Sequence, residues 1–319
     1  MRDIIVIGAS AGGIEPLSKL VGGLAPGIRA ALFVVVHIPS DANSALPQML
    51  TRLGTLPALH PSNGEPLKRG RIYVAPPDRH LVVERARVGV NVGPKENRRR
   101  PSIDLLFRTA ARSYGARVIG VLLSGLSDDG SAGLATISAR GGVTIVQDPA
   151  EARFAQMSRN AMELIKVDHC VGADAMGPLL MSLVSGGPAP LVADEQMPTE
   201  QVQQATMDNK VEPSRFGCPD CGGVLWQIND ETLRFQCRIG HAYSIAGLEN
   251  AQSDKIEESL WATIRGMSER ADLLRWLATR AREREDLLSA AKLNEAAAAT
   301  EHEMRVLQQT LRGSREQND

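Results

Sequence analysis

Short apolar runs rich in β-branched residues alternate with amphipathic stretches over the first 185 residues. The runs that predict strands lie at residues 4–7, 32–36, 118–123 and 143–146. The amphipathic stretches predict helices from about Ile14, from about Ala42 and after Gly130. Continuously apolar strands that alternate with helices are typical of a parallel sheet covered on both faces. We therefore predict a doubly wound α/β domain with a parallel sheet.

Three shorter apolar runs lie inside this domain, at residues 72–74, 81–83 and 88–92. They are separated by turn residues such as Pro77 and Asp78. Short strands joined by tight turns usually pair with each other in antiparallel fashion. We therefore predict a small antiparallel insertion within the parallel α/β fold.

The chain changes character after residue 186. Residues 187–214 are polar, begin with Gly187 and Pro188, and show no sustained apolar period, which predicts a linker. Residues 215–247 contain three of the four cysteines and predict a small zinc-ribbon-like module. Residues 250–312 have no proline from Asp254 onward and carry apolar positions at helical spacing, which predicts a tail of two long helices. The predicted order is an α/β domain over 1–186, a linker, a Cys/His module and a helical tail.

Composition narrows the class of protein. Of the 319 residues, 43% are hydrophobic and 23% are charged, which excludes wholesale disorder. The longest apolar runs, such as residues 30–36, are far shorter than the roughly 18 residues that span a bilayer, and no signal-like segment follows Met1. We therefore expect a cytoplasmic protein without membrane insertion. Four clustered cysteines are too few for a secreted disulfide framework and favour a metal site.

The net charge of −1 argues against nucleic-acid binding through bulk charge. This net value is the sum of a positive first part and a negative second part of the chain. Residues 1–193 carry 21 Lys and Arg against 15 Asp and Glu, whereas residues 194–319 carry 15 against 22. A basic segment, residues 95–100, lies in the positive part. It is either a solvated loop or a surface that meets acidic helices of a partner.

The first strand is followed by a glycine-rich loop, residues 8–13, which precedes a helix. A dinucleotide site would need a glycine where this chain has Ser10, and a carboxylate near the end of the second strand, where it has His37. The spacing Gly8-x-Ser10-x-Gly12 instead matches a nucleophile elbow, which presents a serine hydroxyl at a strand-to-helix turn. The early position of the elbow excludes the standard α/β-hydrolase order.

A serine hydroxyl needs a base to accept its proton and an acid to orient that base. His37 closes the second apolar strand, and Asp128 and Asp129 follow the strand at 118–123. Carboxyl ends of parallel strands meet at one edge of a sheet, so these groups are candidates for one site with Ser10. Each also has a structural interpretation: Ser10 and either aspartate suit a helix N-cap, and single histidines at strand ends are usually structural.

The cysteines predict a second site. Cys218-x2-Cys221, a segment of fifteen residues and Cys237-x3-His241 form a Cys₃His set with the spacing of a tetrahedral zinc site. Four protein ligands leave no open position, so the expected Zn²⁺ is structural. The alternative is a small hydrophobic module with free thiols. Cys170 lies far from the set in sequence and is expected in the core.

Residues 1 to about 185 resemble the catalytic domain of the chemotaxis-type protein-glutamate methylesterases, the CheB family. The resemblance rests on segments in the same order, at residues 7–13, 37–39, 100–107, 120–125, 129–134 and 147–149. It implies a serine esterase that hydrolyses glutamate γ-methyl esters on the cytoplasmic helices of methyl-accepting chemoreceptors, releases methanol and also deamidates glutamine. It implies Ser10 as nucleophile, His37 as base and Asp129 as acid, with no cofactor for catalysis.

The familiar family member carries an N-terminal receiver domain, whereas Met1 lies two residues before the first predicted strand. We therefore expect no receiver domain here, and partners among chemoreceptors and other chemotaxis-type signalling proteins. The alternative is a signalling scaffold that keeps the esterase fold and acts by binding through its zinc module and helices. A nucleotide-dependent enzyme is the third possibility.

Overall fold

The structure is a computed structural model that describes residues 2–38, 44–185, 211–229 and 232–316. The strands in these ranges are β1 (Ile4–Ala9), β2 (Ala31–Val36), β3 (Ala58–Leu59), β4 (Glu65–Pro66), β5 (Arg71–Val74), β6 (His80–Glu84), β7 (Arg87–Asn91), β8 (Val118–Leu122), β9 (Val143–Gln147), β10 (His169–Val171), β11 (Val211–Gly217), β12 (Val224–Asn229), β13 (Leu233–Cys237) and β14 (Ala242–Ser244). The α-helices are α1 (Ile14–Gly22), α2 (Leu46–Leu53), α3 (Ile103–Tyr114), α4 (Ser131–Ala139), α5 (Gln156–Leu164), α6 (Ala173–Ser185), α7 (Ile245–Glu283) and α8 (Leu287–Glu316).

The main sheet has seven strands in the order β10-β9-β8-β1-β2-β5-β3, and every neighbouring pair is parallel. The chain enters at the centre with β1, builds outward through β2, and then crosses back to add β8, β9 and β10 on the other side. In such sheets the strand order reverses beside the first strand, and a crevice opens there at the carboxyl edge. The position of β1 therefore predicts where a site lies.

Both faces of this sheet are buried, which confirms the predicted α/β fold with a parallel sheet. Alternate residues of β1 point to opposite faces: Ile5 and Ile7 join the core on one face, and Ile4 and Val6 join the core on the other. Helices α1, α2 and α6 supply residues such as Leu17 to the first core, whereas α3, α4 and α5 supply the second.

The predicted antiparallel insertion is correct in part. β6 and β7 pair antiparallel and, with β4, form a separate three-stranded sheet. β5, which we expected in this insertion, instead pairs in parallel with β2 and belongs to the main sheet. The physical reason is burial: Ile72, Tyr73 and Val74 are almost inaccessible to solvent, which suits a strand covered on both faces.

Two predicted boundaries also differ. α2 begins at Leu46 rather than near Ala42, with Pro47 in its first turn, where a missing backbone N–H costs nothing. Residues 42 and 43 lie outside the described residues. Most of the predicted linker, residues 187–210, also lies outside them, whereas residues 211–214, expected in the linker, lie in β11.

The chain divides into two compact units, Met1–Leu248 and Glu249–Asp319. The first contains the main sheet and an antiparallel meander of β11, β12, β13 and β14, which we call the Cys/His module. The second is an antiparallel pair formed by most of α7 and by α8, with an ion pair between Arg275 and Glu301 at 2.6 Å. The predicted C-terminal helices are thus present. In the described ranges, no helix is both long and apolar enough to cross a membrane.

Candidate active site and metal cluster

Ser10 lies directly after β1, at the carboxyl edge of the sheet and next to the point where the strand order reverses. Its N–H donates to the carbonyl of Ser124 at 3.0 Å, and its own carbonyl accepts from the N–H of Gly13 at 3.0 Å. Gly12 has a φ of +69°, a conformation that favours glycine. The tight turn therefore fixes Ser10 between β1 and the start of α1.

A second glycine, Gly125, provides room for this turn. A Cβ atom at this position would overlap the Sδ atom of Met157 and lie 2.8 Å from the Cβ atom of Ser10. The N–H of Gly125 donates to the carbonyl of Phe154 at 3.0 Å, which holds the loop after β8 against the serine turn. Only a residue without a side chain allows this close approach.

His37 follows β2 and connects the serine to an acid. Its Nδ1 atom lies 3.2 Å from the Oγ atom of Ser10, and its Nε2 atom lies 2.9 Å from the Oδ2 atom of Asp129. The side chain is 5% exposed, and the backbone N–H donates to the carbonyl of Ala9 at 3.1 Å. With the Nε2 proton donated to the carboxylate, Nδ1 has a free lone pair facing the serine hydroxyl.

Asp129 is completely buried in the loop between β8 and α4, and four donors surround its carboxylate. His37 Nε2 and the N–H of Ile103, at 2.8 Å, donate to Oδ2. The hydroxyl of Ser102 at 3.1 Å and the N–H of Asp104 at 3.0 Å donate to Oδ1. Three of these donors belong to the first turn of α3 and its cap, where the positive end of the helix dipole stabilises a negative charge.

The three neighbouring carboxyl groups have different pKa values. Burial alone raises the pKa of Asp129, but the hydrogen bond and charge of His37, together with the N–H groups of Asp104 and Ile103, hold it below its usual value of 3.8. Burial and then the nearby charge of Asp129 raise the pKa of Asp104 well above the usual range. Burial also raises the pKa of Asp128. Asp129 is therefore the member of the cluster whose surroundings favour the charged form.

The structure thus brings Ser10, His37 and Asp129 into one hydrogen-bonded relay, as the sequence predicts. The hydrogen-bond partner of His37 Nε2 is Asp129, whereas the carboxylate of Asp128, the other candidate acid, accepts a hydrogen bond from the hydroxyl of Ser244. Sequence reasoning missed Ser102 and Asp104. The available signal was the cap pattern at Ser102, whose hydroxyl also accepts from the N–H of Leu105 and marks the start of α3.

A second cluster lies in the Cys/His module, where the ligand atoms of Cys218, Cys221, Cys237 and His241 all lie within 4.8 Å of one another. The Sγ atoms of Cys221 and Cys237 are 3.6 Å apart, and His241 Nδ1 is 3.6 Å from the Sγ atoms of both Cys218 and Cys237. Tetrahedral zinc with Zn–S bonds of about 2.3 Å separates its ligand atoms by roughly 3.5–3.8 Å. The donor set and spacing therefore fit Zn²⁺.

Two matching turns bring these ligands together. Between β11 and β12, the N–H of Gly222 donates to the carbonyl of Cys218 at 2.8 Å, with Gly222 at a φ of +73°. Between β13 and β14, the N–H of Gly240 donates to the carbonyl of Cys237 at 2.9 Å, with Gly240 at a φ of +104°. Each hairpin turn thus presents its ligands toward the other. Cys170 does not belong to the cluster and is exposed on β10, so its predicted core position is wrong.

Comparison with known proteins places the α/β domain in a family. The family model described as CheB methylesterase matches residues 5–180. A Leptospira interrogans protein, provisionally named protein-glutamate methylesterase/protein-glutamine glutaminase, is 35% identical over 182 residues, which cover 57% of this chain and 94% of the relative. Protein-glutamate methylesterase/protein-glutamine glutaminase 2 of Anaeromyxobacter dehalogenans is 38% identical over 181 residues, which cover 57% of this chain and 53% of that protein.

A solved structure agrees with these matches. The crystal structure of the Thermotoga maritima CheB methylesterase catalytic domain aligns with a TM-score of 0.55 and 28% identity, covering 57% of this chain and 99% of that domain. The family model covers more than half of the chain and includes Ser10, His37 and Asp129. The chain therefore belongs to the CheB methylesterase family.

Proposed function

We propose that this chain is a protein-glutamate methylesterase, a carboxylic ester hydrolase that converts glutamate γ-methyl esters on chemoreceptor helices to glutamate and methanol. The observation that carries the proposal is the relay from Ser10 through His37 to Asp129, which lies inside the region matched by the family. The relatives whose names give this activity support the choice of ester.

The first half of the reaction acylates the enzyme. As the Oγ atom of Ser10 attacks the ester carbonyl, His37 Nδ1 accepts its proton. The imidazolium that forms is stabilised by the buried carboxylate of Asp129 at 2.9 Å. The bond between the carbonyl carbon and the methoxy oxygen then breaks, and His37 Nδ1 returns the proton so that methanol leaves.

The second half releases glutamate. His37 accepts a proton from water, the resulting hydroxide attacks the acyl carbon, and the proton returns to Ser10 Oγ as the ester bond to the enzyme breaks. The same steps with ammonia as leaving group hydrolyse a glutamine side-chain amide, so we assign glutamine deamidation to this site as well. The developing negative charge on the carbonyl oxygen is favoured by the start of α1, four residues after Ser10.

We assign the acid role to Asp129 rather than Asp128 because of its donors. Four hydrogen bonds keep its carboxylate ionised and fix its position, and the proton on His37 Nε2 is thereby held on the side away from Ser10. A base oriented in this way presents an unprotonated nitrogen to the serine. No catalytic cofactor enters these steps.

We further propose a structural Zn²⁺ in the Cys/His module, held by Cys218, Cys221, Cys237 and His241. A bound zinc would cross-link the two hairpin turns and stabilise the module. With this zinc site, we divide the chain into an esterase domain over residues 1–186, a linker over 187–214, a zinc-ribbon-like module over 215–247 and a helical tail over 250–312. The proposed setting is the cytoplasm, where methyl-accepting chemoreceptor helices and chemotaxis-type signalling proteins are the partners.

The test is methanol release from a receptor fragment that carries glutamate γ-methyl esters. Wild-type protein should release methanol, and Ser10→Ala should lower the rate by roughly 10⁴-fold or more. Ser18→Ala is the matched control, because Ser18 lies on α1 and its hydroxyl only bonds the carbonyl of Ile14. Its rate should equal that of wild type. Absence of methanol from both wild type and Ser10→Ala would overturn the proposal and favour the scaffold alternative.

A further inference from the structure

Residues 93–99 of the esterase domain form a loop that contacts the Cys/His module. The N–H of Asn97 donates to the carbonyl of Ala242 on β14 at 2.8 Å, and the N–H of Ala242 donates to the carbonyl of Lys95 at 3.3 Å. Gly240 lies against Pro94 so closely that a Cβ atom there would come within 2.7 Å of the proline ring. The module is therefore joined to this loop by strand-like pairing directly after its metal ligands.

Asn97 bonds both sides of this contact. Its backbone has a φ of +47°, and its side-chain Oδ1 accepts from the N–H of Ser244 at 2.9 Å. Its Nδ2 donates to the Oδ2 atom of Asp104 at 3.0 Å. Asp104 is the residue whose N–H donates to Asp129. One amide side chain thus connects the module to a donor of the proposed catalytic acid.

His80 forms a second connection from the same loop. It is 1% exposed, and its Nε2 atom donates to the carbonyl of Pro94 at 2.9 Å. Its Nδ1 atom accepts from the N–H of Ser102 at 3.3 Å, and the hydroxyl of Ser102 donates to Asp129 at 3.1 Å. The loop that receives the module therefore reaches the carboxylate of Asp129 by two independent routes.

Ser244 adds a third contact next to the acid. Its hydroxyl donates to the carboxylate of Asp128, which is 5% exposed, and accepts from the N–H of Gly247 at 2.9 Å. The carbonyl of Asp128 accepts from the N–H of Ser131 at 3.0 Å, at the start of α4. The short loop that carries Asp129 is thus held from the module side as well.

We propose that the docked Cys/His module positions Asp129, with Asn97, His80 and Ser244 as positioning residues, so that unfolding of the module slows the chemistry at Ser10. This inference rests on the proposed role of Asp129 as the acid of the relay. Small displacements matter here, because a shift of about 1 Å in a catalytic group lowers a rate by up to roughly a hundredfold.

The first test compares Asn97→Gly with Ala86→Gly in the full chain. Glycine accepts the positive φ at both positions, which is +47° at Asn97 and +61° at Ala86, but only Asn97→Gly removes the two amide hydrogen bonds. Asn97→Gly should lower kcat by roughly tenfold with KM within twofold, and should increase hydrogen exchange at the N–H groups of Ile103 and Asp104. Ala86→Gly should change neither quantity.

Ser244 gives an independent comparison. Ser244→Ala removes the hydroxyl that bonds Asp128, whereas Ser244→Thr keeps a hydroxyl at the same position. Ser244→Ala should lower kcat several-fold and Ser244→Thr should restore most of it. Equal rates in the two variants, both at the wild-type level, would contradict a role for this contact in positioning the acid.

The second test unfolds the module in the otherwise unaltered chain. Zinc-loaded protein is compared with chelator-treated protein, and hydrogen exchange at the N–H groups of β12 and β13 reports when the module has unfolded. The rate at which a fluorophosphonate labels Ser10 should then fall by roughly tenfold. Labelling needs no receptor. If labelling slows when the module unfolds but the wild-type protein releases no methanol, the proposed ester is wrong and the positioning of Asp129 still holds. The inference would be overturned if hydrogen exchange at Ile103 and Asp104 and the labelling rate of Ser10 both stay within twofold of wild type, either in Asn97→Gly or after the module has unfolded.

Discussion

Two clusters of reactive side chains stand out in the part of the chain that the structure describes, and different forces hold them together. Ser10, His37 and Asp129 follow three separate buried strands or loops of a seven-stranded sheet, and every polar atom that links them has a partner within the protein. The cysteines of the Cys/His module lie on two hairpin turns of a four-stranded meander with few buried residues. Hydrogen bonds of the fold hold the relay in place, whereas the proposed zinc would supply the bonds that hold the thiol cluster together.

The two clusters also differ in how their charges are balanced. Asp129 is one buried negative charge facing four donors, so its cost of burial is offset without any bound ion. The Cys/His cluster brings three thiols and one imidazole within 4.8 Å of one another. Thiolates at such short distances repel one another unless a cation lies between them. The two regions should therefore respond differently to metal removal, to substitution and to acid.

The largest expected effect is on the module. Cys221→Ser removes one of four ligands, and structural zinc sites contribute about 10–16 kcal/mol in small zinc-binding peptides. The variant should lose its stoichiometric zinc, and the N–H groups of β12 and β13 should exchange as in an unfolded module, while the main sheet stays folded. Elemental analysis and hydrogen exchange measure this. Cys170→Ser, an exposed cysteine outside the cluster, should retain one zinc; if wild type itself binds none, the contrast between the regions fails.

The next largest effect is on the relay. Asp129→Asn keeps the size of the side chain but turns an acceptor of His37 Nε2–H into an amide, which favours the other imidazole tautomer. In a serine-histidine-aspartate relay this change lowers kcat by about 10⁴-fold. Steady-state methanol release provides the value. Asp128→Asn should lower kcat far less, because the carboxylate of Asp128 bonds Ser244 while that of Asp129 bonds His37. Equal losses in the two variants would argue against the assignment of the acid.

A smaller effect tests the packing around the serine turn. Gly125→Ala forces a Cβ atom against Met157 and Ser10, which should lower the free energy of unfolding by roughly 1–3 kcal/mol. Urea denaturation measures the difference. Gly266→Ala is the control, because no heavy atom lies near the added Cβ in the helix α7. That change should leave stability equal or raise it, and a similar loss at both positions would show that close approach at Gly125 is unimportant.

The smallest expected effect concerns acid. The folded-state pKa of Asp129 lies below its usual value of 3.8, so its stabilising contribution is complete above about pH 4 and is lost as pH falls through the lower folded value. The difference in unfolding free energy between wild type and Asp129→Asn should therefore shrink between pH 7 and pH 3. Denaturant titrations at the two pH values test this. A constant difference would mean that the carboxylate gains nothing from its four donors.

Much of the fold follows from local pattern. The strands β1, β2, β8 and β9 are continuous apolar runs, which only a doubly covered sheet accommodates, and the glycine loop after β1 indicates where a ligand edge lies. The sequence predicts the wrong sheet for β5 because its apolar run, residues 72–74, has the same pattern beside a parallel or an antiparallel neighbour. Partner choice depends on long-range packing, which a run of three residues does not encode.

The residues of the candidate site also differ in how far the sequence predicts them. Ser10 and His37 stand at the ends of apolar strands, so their convergence could be predicted from the sequence. The choice between Asp128 and Asp129 could not, because adjacent residues on a loop point in different directions and only the fold decides which reaches His37. Asn97 and His80 were not found either. Their partners lie 7 to 147 residues away, and no periodicity links them to the relay.

The most direct test of the account is covalent labelling of the full chain with a fluorophosphonate, followed by peptide mapping. The relay predicts a single adduct on the peptide that contains Ser10, formed rapidly by wild type and lost in His37→Ala, because the hydroxyl is reactive only beside its base. Labelling of a different serine, or labelling of Ser10 at the same rate in wild type and His37→Ala, would contradict the assignment of this sheet edge as a serine esterase site.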